Sequence, residues 1–289
     1  MNPATRVVIF TDLDGTLLDQ HNYSFEAASP IIDFLNQAGI PWILNTSKTL
    51  AESADLARTL DNRHPLIIEN GGGIAVPPTY PMPGDAARTV FDRVGDYRLI
   101  ALGAERSFIL SVLQSLKYSF RFEGFDAMTE QELVALTDLN SKRTRQARDR
   151  QFSEPLVWRD KPERLLDFAA ALATHSLTLL RGGRFIHVLG QSDKGRAMQR
   201  VLAYWFDKAN DTGQDTLVTI ALGDADNDRA MLEAADRAIV IRSPTHTPPE
   251  IDHPSLRIST GTGPEGWAES LSRALKELGY TSVNTRQAL

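Results

Sequence analysis

Asp12 and Asp14, spaced i, i+2 in the run VVIFTDLDGTLLD (residues 7–19), are the first side chains whose placement suits chemistry rather than solubility. Val7, Val8, Ile9 and Phe10 precede them and read as a strand buried on both faces, the pattern of a central strand in a parallel sheet. The carboxylates therefore fall at the carboxyl end of that strand, where ligands bind in open α/β sheets. Gly15 relaxes the backbone just beyond, and Thr16 adds a hydroxyl. Alone, the pair equally fits a turn, since Asp and Gly both favour one. Three further segments change that balance. Thr46 or Ser47 follows the apolar run PWILN, Lys194 follows Asp193 at the start of a helical pattern, and LGDADND (residues 222–228) ends another apolar run with Asp224, Asn227 and Asp228. Acids, a lysine and a hydroxyl gathered at strand ends suit a hard divalent cation and an anionic substrate, one acid attacking and another moving protons.

Such a gathering needs a scaffold that delivers several strand ends to one edge. Along the first part of the chain come VVIF (7–10), a helical pattern over 25–37, PWILN, a helical pattern over 50–60, and LIIEN. This βαβαβ rhythm predicts right-handed crossovers and a parallel sheet. Residues 71–85, dense in Gly and Pro, read as a loop or edge hairpin leaving that sheet. Polar helices and short strands follow to about residue 190, closing on LTLLRGGRFIHVLG, where a glycine pair between two β-rich runs signals a hairpin. From Ser192 the earlier rhythm resumes. The expected fold is α/β, a doubly wound and mostly parallel sheet, with residues 1–88 and 191–289 forming a discontinuous core and 89–190 an inserted α+β domain.

Composition narrows the classes. A chain of 289 residues fits two domains, and 42% hydrophobic with 24% charged residues is ordinary for a globular protein. A net charge of −6 without an isolated basic block speaks against nucleic acid as a partner. The cluster Lys142, Arg143, Arg145, Arg148 and Arg150 reads as a solvated helix face. Absence of cysteine removes disulfides and thiolate metal sites, in keeping with a cytoplasmic location. No apolar run is long enough for a membrane span, and MNPATR leads straight into the first strand without room for a signal peptide.

The motif DxDGT followed by an apolar pair resembles the first signature of the haloacid dehalogenase-like phosphatases. The whole length resembles the branch with a cap inserted between the second and third motifs. SKTLAE (47–52), IENGGG (68–73), RGGRFIHVLG (181–190), DKG (193–195), GDADND (223–228) and GPEGW (263–267) together look like the mannosyl-3-phosphoglycerate phosphatase family. The resemblance implies a Rossmann-like core, Mg²⁺, and hydrolysis of a glycosyl-3-phosphoglycerate to the glycosylglycerate, a compatible solute. One departure is Thr46, where the family more often has serine before SKT.

Phosphate monoesters hydrolyse very slowly unaided, so the site must position a nucleophile and neutralise charge on the phosphoryl oxygens. Asp12 is the expected nucleophile, forming an aspartyl-phosphate, and Asp14 the general acid and base. Asp12 and Asp224 are the expected metal ligands, with the main-chain carbonyl of Asp14, and Asn227 and Asp228 complete the shell or orient Lys194. Lys194 and the hydroxyl of Thr46, with Ser47 beside it, are assigned to the phosphate. Arg181 and Arg184 flank the glycine pair and His187 follows. Their guanidinium forks suit a carboxylate distant from the phosphate. Glu69 and Asn70 are candidates for sugar hydroxyls. Competing readings are a broader sugar-phosphate phosphatase, a phosphosugar mutase on the same core, or a non-catalytic binding protein, the last disfavoured because Asp12, Asp14, Lys194 and Asp224 are all present.

Overall fold

The computed structural model describes residues 5–137, 139–181, 185–206 and 216–280. The chain falls into two compact units, the first drawn from Met1–Thr46, Ala57–Pro65 and Lys194–Leu289, the second from Ser47–Leu56 and Leu66–Asp193. In chain order, β1 (Arg6–Thr11), α1 (Ser29–Ala38) and β2 (Trp42–Leu44) open the first unit, and α2 (Leu50–Thr59) contributes residues to both. The second unit continues with β3 (Leu66–Ile68), β4 (Gly73–Val76), α3 (Gly84–Ala87), β5 (Val90–Val94), β6 (Tyr97–Ala101) and α4 (Arg106–Leu116). It then runs through β7 (Phe122–Gly124), α5 (Glu130–Thr137), α6 (Ser141–Arg148), β8 (Ser153–Trp158), α7 (Leu165–Ala173), β9 (Leu177–Arg181) and β10 (Ile186–Gly190). The chain returns with α8 (Lys194–Trp205), β11 (Leu217–Gly223), α9 (Arg229–Ala234), β12 (Arg237–Arg242), β13 (Leu256–Thr262) and α10 (Gly263–Glu277).

The first unit holds a five-stranded parallel sheet of order β13-β12-β11-β1-β2. Val7 to Phe10 are all buried, as a strand covered on both faces requires. Sequence order reverses at β1, which is flanked by β2 on one side and β11 on the other. The crevice at such a reversal, beyond the carboxyl ends of the strands, is the place this architecture offers a ligand. α1 is amphipathic, with Pro30 in its first turn, where a missing N–H costs nothing, and Gly39 at φ 65° ending it. Among the described residues no helix is long and apolar enough to cross a membrane.

Two four-stranded antiparallel sheets build the second unit, β7-β8-β10-β9 and β3-β4-β6-β5. The run LIIEN differs from the parallel strand expected of it. As β3 it pairs antiparallel with β4, Ile68 opposite Gly73, because Asn70 at φ 57° and Gly71 at φ 85° let the chain double back within a few residues. The segment after residue 71 is accordingly a central strand, β4, before the proline-rich loop. β9 and β10 form the expected hairpin, Arg181 opposite Ile186. Phe122, Leu156, Ile186 and Val188 pack against Ile109, Val112 and Leu113 of α4 and Phe168 and Leu172 of α7, so these helices cover one face of that sheet.

Candidate active site

β1 delivers Asp12 one residue past its end, and the backbone fixes it there. Its N–H donates to the Leu222 carbonyl of β11 at 2.9 Å, and the preceding carbonyl, Thr11, accepts from the Asn45 N–H beyond β2 at 2.8 Å. The following turn carries Gly15 at φ 76°. A methyl group on it would lie 2.6 Å from Asp224 Oδ2, so glycine is demanded by conformation and by space. Gly223 is likewise closed to a side chain, since a Cβ there would meet the Asp228 side chain at 2.5 Å.

Lys194, the first residue of α8, is fully buried, and its Nζ donates to Asp12 Oδ1 and Asp228 Oδ1, each at 2.6 Å. The other oxygen of Asp228 accepts the N–H groups of Asp224 at 3.0 Å and Ala225 at 3.1 Å. Asp228 therefore shapes the loop that presents Asp224 while orienting the lysine. Thr16 Oγ1 donates to Asp224 Oδ1 at 3.0 Å, and His246 Nε2 lies 3.1 Å from Asp224 Oδ2. Asn45 Nδ2 donates to the Lys194 carbonyl at 3.0 Å, tying the start of α8 to the end of β2.

The carboxylates of Asp12, Asp224 and Asp228 are buried, with oxygens within 4.8 Å of one another. Burial raises Asp12 to about 7, against the opposing pull of Lys194, and Asp228 and Asp14 add to the rise. Burial and the negative charge of Asp12 raise Asp224 to about 8. Lys194 is held above its ordinary value: burial acts to lower it, but the two carboxylates outweigh that. Three carboxylates against one ammonium leave an excess of negative charge out of water. Hard oxygen donors in this number fit a divalent cation of the Mg²⁺ type, which would relieve that excess. Asp14 lies half-buried in the turn after Asp12, and Asn227 half-buried in the turn before α9. Thr46 is 1% exposed just beyond β2.

The remaining candidates lie in the second unit. Glu69 is fully buried at φ 50°, and both its oxygens are committed to residues 151–153. Oε1 accepts from the Gln151 N–H at 2.8 Å, and Oε2 from the Phe152 N–H at 3.1 Å and Ser153 Oγ at 2.6 Å. Arg150 Nη1 stands 4.0 Å from Oε2, and the same guanidinium donates to the Ser47 carbonyl at 3.4 Å. Burial raises Glu69 in spite of Arg150. Asn70 is buried beside it. Arg181 is exposed and pairs with Ile186, hence shares the helix-covered face, whereas His187 points to the opposite face, where it is 8% exposed. The structure does not bring those two together. Burial, helped by the charge of Arg150, lowers His187 to about 3, and its Nδ1 has no hydrogen-bond partner among the described residues. Arg184 lies outside the described residues.

Sequence reading missed the burial of Arg150, which was placed on a solvated helix face. α6 ends at Arg148, and Arg150 folds back to donate to the Ala147 carbonyl and Ser153 Oγ. The placement is right for Lys142 and Arg145, which pair at the surface with Asp55 and Glu130. His246 was missed as well. It sits in a proline- and threonine-rich loop after β12, and no spacing connects it to Asp224.

Comparison with known proteins agrees with this geometry. The family model for haloacid dehalogenase-like hydrolases matches residues 9–247. A glucosyl-3-phosphoglycerate/mannosyl-3-phosphoglycerate phosphatase from Persephonella marina is 34% identical over 273 residues, 94% of this chain and 98% of the relative. A protein of the same name from Methanococcoides burtonii is 31% identical over 267 residues, 91% of this chain and 95% of its own. Among solved structures, a Thermoplasma acidophilum protein superposes with a TM-score of 0.63 at 15% identity, covering 96% of this chain and 99% of the other. The subclass IIB sugar phosphatase BT4131 gives 0.60 at 12% identity, covering 96% and 100%. With the strand-end acids, the buried lysine and relatives of near-equal length in agreement, the chain belongs to the haloacid dehalogenase-like hydrolases and is a phosphatase of that family.

Proposed function

We propose that the protein hydrolyses a glycosyl-3-phosphoglycerate, mannosyl-3-phosphoglycerate foremost, to the glycosylglycerate and phosphate, with Mg²⁺ as cofactor and an aspartyl-phosphate intermediate. The observation that carries the chemistry is Lys194 Nζ seated 2.6 Å from both Asp12 and Asp228 beside Asp224. The substrate follows from the names of the two relatives, 34% and 31% identical over more than nine-tenths of the chain.

With Oδ1 of Asp12 held by Lys194, Oδ2 is the oxygen left to attack phosphorus. Asp14 protonates the departing glycerate oxygen and later takes a proton from the water that cleaves the intermediate. Thr46, with Ser47 as the neighbouring candidate, donates its hydroxyl to a phosphoryl oxygen, and Lys194 supplies a fixed positive charge. Mg²⁺ on Asp12 and Asp224, with the Asp14 carbonyl, Asn227 and Asp228 alongside, would neutralise charge on the phosphoryl oxygens. Residues 1–88 and 191–289 carry this chemistry. Residues 89–190 are assigned to selectivity: Arg184 with either Arg181 or His187, which face opposite sides of the hairpin, is offered to the glycerate carboxylate. Asn70 is offered to the sugar, with Glu69 supporting it because both Glu69 oxygens are held by residues 151–153.

Phosphate release from mannosyl- and glucosyl-3-phosphoglycerate, measured beside simple hexose phosphates with and without Mg²⁺, tests the reading. The glycosyl-3-phosphoglycerates should turn over best and only with the metal. Preference for hexose phosphates would replace this substrate with the broader sugar-phosphate class, and transfer of phosphate to a bound sugar would favour the mutase.

A further inference from the structure

The GPEGW segment at the start of α10 has no part in the chemistry above, yet its tryptophan reaches the residue next to the nucleophile. Trp267 is fully buried, and its Nε1 lies 2.9 Å from Thr11 Oγ1, across 256 positions of sequence. Thr11 is itself fully buried, and its Oγ1 lies 2.8 Å from the carbonyl oxygen of Asp12. The direction of this relay is fixed. An indole N–H can only donate, so the threonine oxygen accepts from Trp267 and must give its own proton to the Asp12 carbonyl.

The consequence falls on the geometry of Asp12. On its amino side, Asp12 N–H is held by Leu222 and the Thr11 carbonyl by Asn45. On its carboxyl side the chain leaves the sheet for the turn at Gly15, so among the described residues no strand partner defines the next peptide plane. The Thr11 hydroxyl takes that place. With both flanking peptides fixed, the Cα–Cβ bond of Asp12 has one direction, and its carboxylate keeps its aim beside Lys194.

We propose that Thr11, oriented by Trp267, is a positioning residue for the Asp12 nucleophile. It acts through the main chain and touches neither substrate nor metal. The inference rests on the phosphatase reading, and it predicts a loss in the chemical step rather than in binding.

Thr11→Val keeps the shape and removes the hydroxyl. Its kcat should fall roughly 10- to 100-fold, the scale of a misplaced reacting group, with KM and the Mg²⁺ requirement changed by less than about twofold. Thr11→Ser, which keeps the hydroxyl, should recover kcat to within about threefold of the starting protein. Trp267→Phe, deleting the donor, should lose less than Thr11→Val, and the double variant should be no worse than Thr11→Val alone, since both cut one relay. A purely structural role would lower the melting temperature of Thr11→Val and leave kcat per folded molecule intact. That outcome, or equal kcat losses in the Val and Ser variants, overturns the proposal.

The comparison survives an error in the substrate. If the wild type ignores glycosyl-3-phosphoglycerates but cleaves other phosphate esters, that reading fails and the Thr11 series is run on those esters. If no ester is cleaved, formation of a beryllium trifluoride adduct on Asp12, followed by fluorine NMR, supplies the readout. The Ser variant should then form it like the wild type and the Val variant less readily, and equal formation by both variants would sink the idea.

Discussion

Both units bury charge, and they do so with opposite balances. In the second unit each buried acid has its own guanidinium: Glu69 faces Arg150 at 4.0 Å, and Glu154 faces Arg106 at 2.7 Å. Backbone N–H groups fill the remaining acceptor positions, from Gln151 and Phe152 on Glu69 and from Asp126 on Glu154. Such clusters are closed, and their role is to hold segments together. In the first unit one ammonium, that of Lys194, bonds two of three clustered carboxylates, Asp12 and Asp228, and burial raises Asp12 to about 7 and Asp224 to about 8. That cluster holds more acid than base, the balance that the proposed cation would even out. Burial of charge alone does not mark a catalytic site. The difference in balance is what separates the two clusters.

Four substitutions probe that contrast. The largest effect belongs to Asp12→Asn, which replaces the carboxylate proposed to attack phosphorus: phosphate release should fall on the order of 10⁴-fold, with the circular dichroism spectrum unchanged. Activity near wild type would show that Asp12 is not the nucleophile. Glu69→Gln should act in the other sense. Breaking a closed cluster costs about 3 kcal/mol of stability by urea unfolding, while kcat per folded molecule toward a small aryl phosphate stays within about threefold. A kcat collapse without a loss of stability would move Glu69 into the catalytic machinery.

A smaller effect depends on pH. His187 is lowered to about 3 from an ordinary value of 6.5, chiefly by burial. Between those values the unfolded chain binds a proton that the folded chain refuses, so this contribution is present above about 6.5 and is lost as pH falls toward 3. Urea unfolding should show the wild type losing about 2 kcal/mol more than His187→Asn on going from about pH 7 to about pH 5. Parallel pH profiles would mean that His187 is protonated in the folded protein. The smallest effect is Arg145→Ala. It breaks a surface pair with Glu130 at 2.8 Å, and stability should change by less than about 0.5 kcal/mol. A larger loss would extend the closed kind of cluster to the surface of α6.

Legibility in the sequence followed the local environment. Asp12 and Asp224 could be read because each directly follows an apolar run, so one short window contains both the strand and the acid at its end. Lys194 was readable from the glycine after it and the helix it starts. β3 was misassigned as a parallel strand because the turn that reverses it depends on φ at Asn70 and Gly71, which the apolar pattern does not encode. Arg150 looked like its neighbours on α6, and only the chain turning after Arg148 takes it inside. His246 and the link between Trp267 and Thr11 are contacts across long loops. Periodicity has nothing to say about which distant side chain fills a given gap.

The position of β1 also bears on how the protein is made. It lies between β2, some thirty residues downstream, and β11, which begins at Leu217. A ribosome adding about 5 to 20 residues per second therefore leaves one edge of this apolar strand unpaired for roughly 10 to 40 s. Throughout that time the hydrogen-bonding groups of Val7 to Phe10 on the β11 side face whatever else is near, including other nascent chains. Slower synthesis upstream of residue 217, or a shortage of chaperones, should thus reduce the yield of soluble protein more than changes after β11 has emerged.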